Sequence, residues 1–360
     1  MSWFVCLFVR VCDCVSFCPG EIGNPEGLQA ITNLAAGVFS EMKRLQPVEP
    51  KTHSKWKREL EWLLLPLSQI VVLEPGHHLL SNGNRVSVMK QALREDVRLH
   101  LPRLRACDDD LLRVMSRFSA AEIDVEWNEQ ALAVGKVGRW WMEQPTFLSM
   151  PLDARTVAAV IECVTCVVEV LKMVRSINND IVRRMIVPDS YCQKLPSDAS
   201  KILGKEMAKM LKKKDGSEHF DHFLNSLRVG DALQAQKMMS QLQDAALVWM
   251  RKFELTEQQE CEKPKAFGFF GGVPNVSAKR GAATAERIAL ALRERWPKAP
   301  QTELEIAKIQ GNLDVGLAAM EALSRVLEGR AATMLAHLKN LVENGAVQLP
   351  PLLAQQLELL

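Results

Sequence analysis

Cys163 and Cys166 stand as a Cys-x-x-Cys pair. That spacing suits zinc or a dithiol couple when a second pair or a matched redox site accompanies it. No second such pair exists, and both cysteines sit inside a strong helical period, so two buried core thiols are the better reading. His219 and His222, three residues apart, share a face if helical, but no Glu or Cys stands at a fitting distance, and a solvated face explains them as well. No metal is expected. The chain lacks a GxxxxGK[ST] phosphate loop. Its FGFFGG run at 267–272 neither follows a strand nor opens a helix, which argues against a dinucleotide. No Ser/His/Asp set and no spaced carboxylate pair emerges, so neither a hydrolase nor a transferase is indicated and no cofactor is expected.

Two features carry binding chemistry instead. The run KEMAKMLKKKDG gathers Lys205, Lys209, Lys212, Lys213 and Lys214 ahead of Gly216. Lysines in a last turn complement the helix dipole and glycine beyond them is a common stop, while an acidic partner or lipid headgroups would use the same charges. Trp140 and Trp141 are adjacent in an irregular stretch, between Arg139 and Met142. Neighbours in sequence cannot both face one core from a helix, and in a strand they point to opposite sides. At least one is expected to reach a partner, where Trp is a frequent hot spot; anchoring of the loop is the other reading.

The elements that must position these residues are mostly helical. Residues 32–73 carry a helical pattern broken at Pro47–Pro50, with Pro66 kinking its second half. Val86 and Val88, then Val97, Leu99 and Leu101, alternate with polar residues and predict a hairpin near 85–101 as the largest sheet. Helix returns over 102–118, and 119–154 reads as irregular. Val157, Val160, Val164, Val167, Leu171, Val174, Ile181 and Met185 recur at three- or four-residue steps until Pro188. A further helix runs from Met238 to Phe253, and 254–282 has no sustained period. The last long helix carries Met320, Leu323, Leu327, Met334, Leu338 and Leu341.

The 360 residues are long for one core, so two packed lobes are expected. A net charge of +2 demands neither a nucleic acid nor an anionic membrane. The nine cysteines are odd in number and mostly scattered, as in a reducing compartment. The opening MSWFVCLFVRVCDCVSFC holds four of them, is interrupted by Arg10 and Asp13, lacks a basic lead-in, and is too short to span a bilayer comfortably. The expectation is a cytoplasmic protein.

Several runs then stand out in order: ITNLAAGVFSEMKRLQPV (31–48), KWKRELEWLL (55–64), REDVRLHLPRL (94–104), Trp140–Trp141, SINNDIVRRMIVPDSYCQKLP (176–196), RWPKAPQTELEIAKIQGNLDVG (295–316) and SRVLEGRA (324–331). Together they resemble the PRONE domain of plant Rop guanine-nucleotide exchange factors. The resemblance implies an all-α, elongated, two-lobed fold with one small antiparallel β-hairpin arm. It implies a homodimer that stimulates GDP release from a Rop/Rac-type small GTPase without covalent chemistry, with at most peripheral membrane association at the cytoplasmic face of the plasma membrane. Trp140 and Trp141 match the family's Trp-Trp loop, which engages the GTPase beside its nucleotide. The implied layout is an atypical, poorly ordered segment at 1–26, an exchange domain at 27–345 with a flexible connector near 254–282, and a short tail at 346–360. The family's opening charged helix, which supports dimerisation, is replaced here by the cysteine-rich segment. GKVGR before the pair is less acidic than the family pattern, and EIDVEWNEQ (122–130) matches less well. The alternative is a helical adaptor that binds a small GTPase without releasing nucleotide.

Overall fold

The computed structural model describes residues 70–128 apart from 82 and 119–121, 144–212 apart from 149, 227, 229–262 and 276–359, with single positions between 51 and 67. In chain order these form β1 (Val71–Leu79), β2 (Arg85–Leu93), α1 (Glu95–Arg117), β3 (Val125–Asn128), β4 (Gln144–Phe147), α2 (Ala154–Arg184), α3 (Asp189–Cys192), α4 (Ser200–Leu203), α5 (Lys205–Leu211), α6 (Ala232–Glu262), α7 (Val276–Arg295), α8 (Glu303–Gln310), α9 (Val315–Asn344) and α10 (Pro351–Leu359). The chain divides into two units, Met1–Met185 with Asn312–Glu358, and Ile186–Gly311. The mainly helical class with a β-hairpin is as expected.

In the first unit, β1 and β2 pair antiparallel from Val71 opposite Leu93 to Leu79 opposite Arg85. The turn closes with Gly83 N–H donating to Leu80 O (2.9 Å), and Gly83 takes φ 81°, a conformation costly for any residue with a Cβ. The strands differ from expectation. Val86 and Val88 lie in β2, but their partners are His78 and Gly76, and Val71–Leu73 open β1 rather than ending a helix. Val97, Leu99 and Leu101 belong to α1. Their alternation is real, yet Val97, Leu101, Leu104, Leu111 and Met115 also recur at three-, four- and seven-residue steps, and all are buried. Each buried aliphatic side chain contributes roughly 1.5–3 kcal/mol, so the stripe that fills a core prevails, even with Pro102 inside the helix.

α2 starts where Asp153 Oδ1 accepts from the Thr156 N–H (2.8 Å) and stops at Met185, three residues before Pro188. Its Val160, Val164, Val167, Leu171, Val174 and Ile181 are buried, as are Met320, Leu323, Leu327, Met334, Leu338 and Leu341 of α9. α1 and α2 pack against α9 to make this core. Arg330 Nη1 of α9 donates to Asp108 Oδ1 of α1 within it (2.7 Å), the two side chains 1% and 9% exposed. The expected tail is partly helix: α10 buries Leu353 and Leu357, and Lys339 Nζ donates to Leu357 O (2.5 Å).

In the second unit, α6 and α7 pack through small residues, with Ala245, Ala246, Ala282, Ala285 and Ala289 buried around Trp249. Helix covers 254–262 and 276–282 of the expected connector; 263–275 lie outside the described residues. α8 opens on a reciprocal cap. The Thr302 hydroxyl accepts from Glu305 N–H (3.3 Å), and Glu305 Oε2 accepts from Thr302 N–H (3.0 Å) and from Arg293 Nη2 (2.6 Å).

Candidate functional site

Residues 119–154, expected to be irregular, contain a second antiparallel pairing. Val125 lies opposite Phe147, Glu126 opposite Thr146, Trp127 opposite Pro145 and Asn128 opposite Gln144. The ladder therefore brings together the two ends of segment 129–143, which carries Trp140 and Trp141. Both tryptophans lie outside the described residues, as do His219, His222, Lys213, Lys214 and the FGFFGG run.

The ladder is fixed from several sides. Ile123, fully buried, donates its N–H to Arg117 O (3.2 Å) at the end of α1. Leu148 N–H extends the pairing to Asp124 O (3.3 Å), and the Thr156 hydroxyl of α2 donates to Glu122 O (3.4 Å). Pro145 has no N–H to give, and its carbonyl accepts from Asn340 Nδ2 of α9 (3.4 Å). The last turn of α9 also closes on β4 at Gly345, where an added Cβ would stand 2.6 Å from Phe147 Cε2 and 3.0 Å from both Leu152 Cδ1 and Leu341 O. No sequence signal announced this ladder: VEWN and QPTF are four residues each, and one contains proline.

The opposite end of α9 meets the root of the β1–β2 hairpin. Arg94 donates to both oxygens of Asp314 (2.6 and 3.0 Å) and of Asp96 (2.7 and 2.8 Å). Burial opposes the charge on Arg94, but the two carboxylates carry its pKa above the usual arginine value. Burial likewise works against ionised Asp314, and the Arg94 hydrogen bonds override it to lower that pKa. Asp314 also caps α9 by accepting from Leu317 N–H (3.0 Å).

The residues first singled out for covalent chemistry are quiet. Burial pushes the Cys163 thiol up to about 12 and the Cys107 thiol to about 11, and raises half-buried Cys166 too. Thiols so shifted stay protonated near neutral pH and are poor nucleophiles and ligands. Among the described residues no group of three His, Cys, Asp or Glu side chains is placed to hold a metal ion. Lys212 follows α5 and lies over the Trp249 ring (5.3 Å to the centroid), so this member of the lysine run packs on an aromatic face. In the second unit the Tyr191 hydroxyl donates to Asp244 Oδ1 (2.7 Å); burial and the carboxylate raise the phenol pKa, and burial raises that of Asp244. Among the described residues no helix is long and apolar enough to cross a membrane.

The class these observations define is a mainly helical chain of two units, carrying a β-hairpin and a short ladder that joins residues 125–128 to 144–147. The family description PRONE, the plant-specific Rop nucleotide exchanger, matches residues 28–348, and the chain belongs to this family. Its curated relatives include three Arabidopsis thaliana proteins to which it is similar. Rop guanine nucleotide exchange factor 12 is 29% identical, with 87% of this chain and 60% of the relative aligned. Rop guanine nucleotide exchange factor 1 is 28% identical over the same shares, and factor 10 is 27% identical, with 87% and 64% aligned. The chain thus spans about 60% of the length of these relatives.

Proposed function

We propose that this chain is a guanine-nucleotide exchange factor for Rop-type small GTPases, with residues 27–345 as the exchange domain. The observation that carries the reading is the family match at 28–348, which runs through both units. Its relatives bear the name of the activity. Exchange makes and breaks no covalent bond, and the chain needs no nucleophile for it. A GTPase that holds GDP at nanomolar affinity binds it by about 12 kcal/mol. The exchange factor must bind the nucleotide-free form more tightly than the loaded one, because only that difference shifts the equilibrium.

In this reading Trp140 and Trp141 form the wedge beside the nucleotide. Rigid indoles bury large area at low entropy cost, which suits a group that must displace a switch loop. Action at the cytoplasmic face of the plasma membrane and assembly as a homodimer belong to the same reading and rest on the family alone.

The test is release of fluorescent GDP from a panel of Rop GTPases, with the chain and with its Trp140→Ala/Trp141→Ala variant, beside thermal unfolding of both. The wedge predicts release stimulated by the parent and cut at least about thirtyfold in the variant, at unchanged Tm. A GTPase that binds without faster release makes the chain an adaptor. A variant that melts early returns the pair to loop anchoring, since a buried Trp→Ala substitution costs about 3–5 kcal/mol.

A further inference from the structure

We propose that the end of the second unit where α5, α6 and α7 meet is a contact surface for an anionic lipid leaflet. The inference extends the exchange reading, on which the choice of a membrane as partner rests. Packing brings the three helices to one place. Lys212, just past α5, lies over the Trp249 ring of α6, and its Cγ would stand 3.1 Å from a Cβ added at Gly281 of α7. Lys279 of α7 lies over Phe253, one turn beyond Trp249 (5.1 Å to the centroid). On α5, Lys205 and Lys209 are exposed and share the face of Lys212 by four- and three-residue steps. Lys252 is exposed beside Phe253. Lys252 and Lys212 both act on the Asp198 carboxylate, whose pKa is held below the usual value first by hydrogen bonds from Ser200 and then by these ammonium groups.

The stretches 198–212, 249–255 and 276–281 hold eight Lys and Arg against three Asp and Glu, a net +5, where the whole chain has +2. The helix dipole accounts for the lysines that close α5. It does not account for α7, which opens with Lys279 and Arg280 and no acidic residue in its first turn, so positive charge sits at its positive end. A field of one sign gathered in one place attracts an anionic partner. The apolar side chains of the same stretches select which: Met210, Leu255 and Val276 each stand about half exposed. Ammonium groups on long stems reach lipid headgroups while apolar side chains settle at the acyl boundary, the pattern of a peripheral membrane contact. A purely acidic partner would use the charges alone.

The experiment sediments the full chain with vesicles of phosphatidylcholine, alone or with about 30% phosphatidylserine, and reads Tm and GDP release in vesicle-free solution beside it. The parent should bind only the vesicles that contain phosphatidylserine. A lysine beside an anionic leaflet is worth about fivefold in binding, so Lys205→Gln/Lys209→Gln/Lys252→Gln should bind at least about thirtyfold more weakly. The same charge change elsewhere, Lys172→Gln/Lys237→Gln/Lys298→Gln, should cost less than about threefold. Met210→Ser/Leu255→Ser should weaken binding at least about fivefold. All these residues are exposed, so each Tm should stay within about 2 °C of the parent, and GDP release in solution should be parental. A parent that ignores phosphatidylserine vesicles overturns the inference, and so does equal weakening by the two lysine triples, which is attraction to net charge alone. Serine variants that bind like the parent, or a patch triple that loses GDP release in solution, make the surface a contact for an acidic protein and overturn it too. A chain that binds vesicles but releases no GDP from any Rop sinks the exchange reading and leaves the lipid contact standing; one that releases GDP but ignores vesicles does the reverse. Should the patch triple melt early, Lys209→Gln and Lys252→Gln decide singly, each expected to bind about fivefold more weakly.

Discussion

Removing the Arg330 side chain is the sharpest test of how α9 is held in its core. Arg330 is 1% exposed, and Asp108 9%. One hydrogen bond joins them at 2.7 Å, Arg330 Nη2 lies 3.2 Å from Met115 Sδ, and Arg330 Nε has no partner. Burial pulls the guanidinium pKa down and Asp108 opposes it, so the charge stands in a site poorly suited to it. Arg330→Met should cost about 3–5 kcal/mol, because it takes the guanidinium away from a carboxylate that is itself buried. For a unit of roughly two hundred residues that is a fall in Tm of about 10 °C. The double change Asp108→Leu/Arg330→Met removes both charges and the unpaired Nε together. It should restore stability to within about 1–2 kcal/mol of the parent, or exceed it. Urea unfolding of the four chains, with equal m-values, measures the coupling. A loss below about 1 kcal/mol in Arg330→Met, or a double variant no better than the single ones, would refute the claim that this pair is buried and interdependent.

Two further outcomes follow from the packing and charges. Gly281→Ala in α7 would place its Cβ 3.0 Å from Trp249 Cε3 and 3.1 Å from Lys212 Cγ. It should destabilise the second unit by about 1–3 kcal/mol, seen as a lower urea midpoint. Asp180 is disfavoured as an anion by burial, but hydrogen bonds from His100 (2.8 Å), Arg183 (2.6 Å) and Arg184 (3.0 Å) outweigh this and hold its pKa at about 2, below the ordinary 3.8. A depressed carboxylate stabilises the fold above its unfolded pKa and loses that contribution as pH falls through the folded one. The parent should therefore lose stability between about pH 4 and pH 2 more steeply than Asp180→Asn, which an acid titration followed by circular dichroism will check.

The long helices were legible because their apolar residues admit one period only. Val160, Val164, Val167 and Leu171 fit a helix and nothing else, and Met320, Leu323 and Leu327 likewise. Positions 97, 99 and 101 fitted two periods, and the choice depended on Leu104, Leu111 and Met115 further along, where burial decides. The partner of β2 was hidden by its composition. Pro75, Gly76, His77 and His78 are poor strand residues, tolerated because both strands of a two-stranded ribbon are edges. At the β3–β4 ladder the sequence did not show what β4 packs against. Asn340 and Gly345 read as an ordinary helix end, and their contact with Pro145 and Phe147 joins positions nearly two hundred residues apart.

α9 also acts as a gauge block for the first unit. At its start Gly316 is pressed between Ile70 and Arg94 at the hairpin root, where a Cβ would stand 2.6 Å from Ile70 Cδ1 and 2.7 Å from Arg94 Nη2. Gly345 bears on Phe147 at its finish. From position 316 to position 345 is about eight helical turns, so the two glycines fall on nearly the same side of a rod about 43 Å long. Spacing and phase between hairpin root and ladder are thus written into a single helix. One residue inserted between them would swing the two attachments out of register by about 100°, whereas a whole number of turns would only lengthen the rod. Variation in this part of the chain should therefore come as substitutions and not as short insertions.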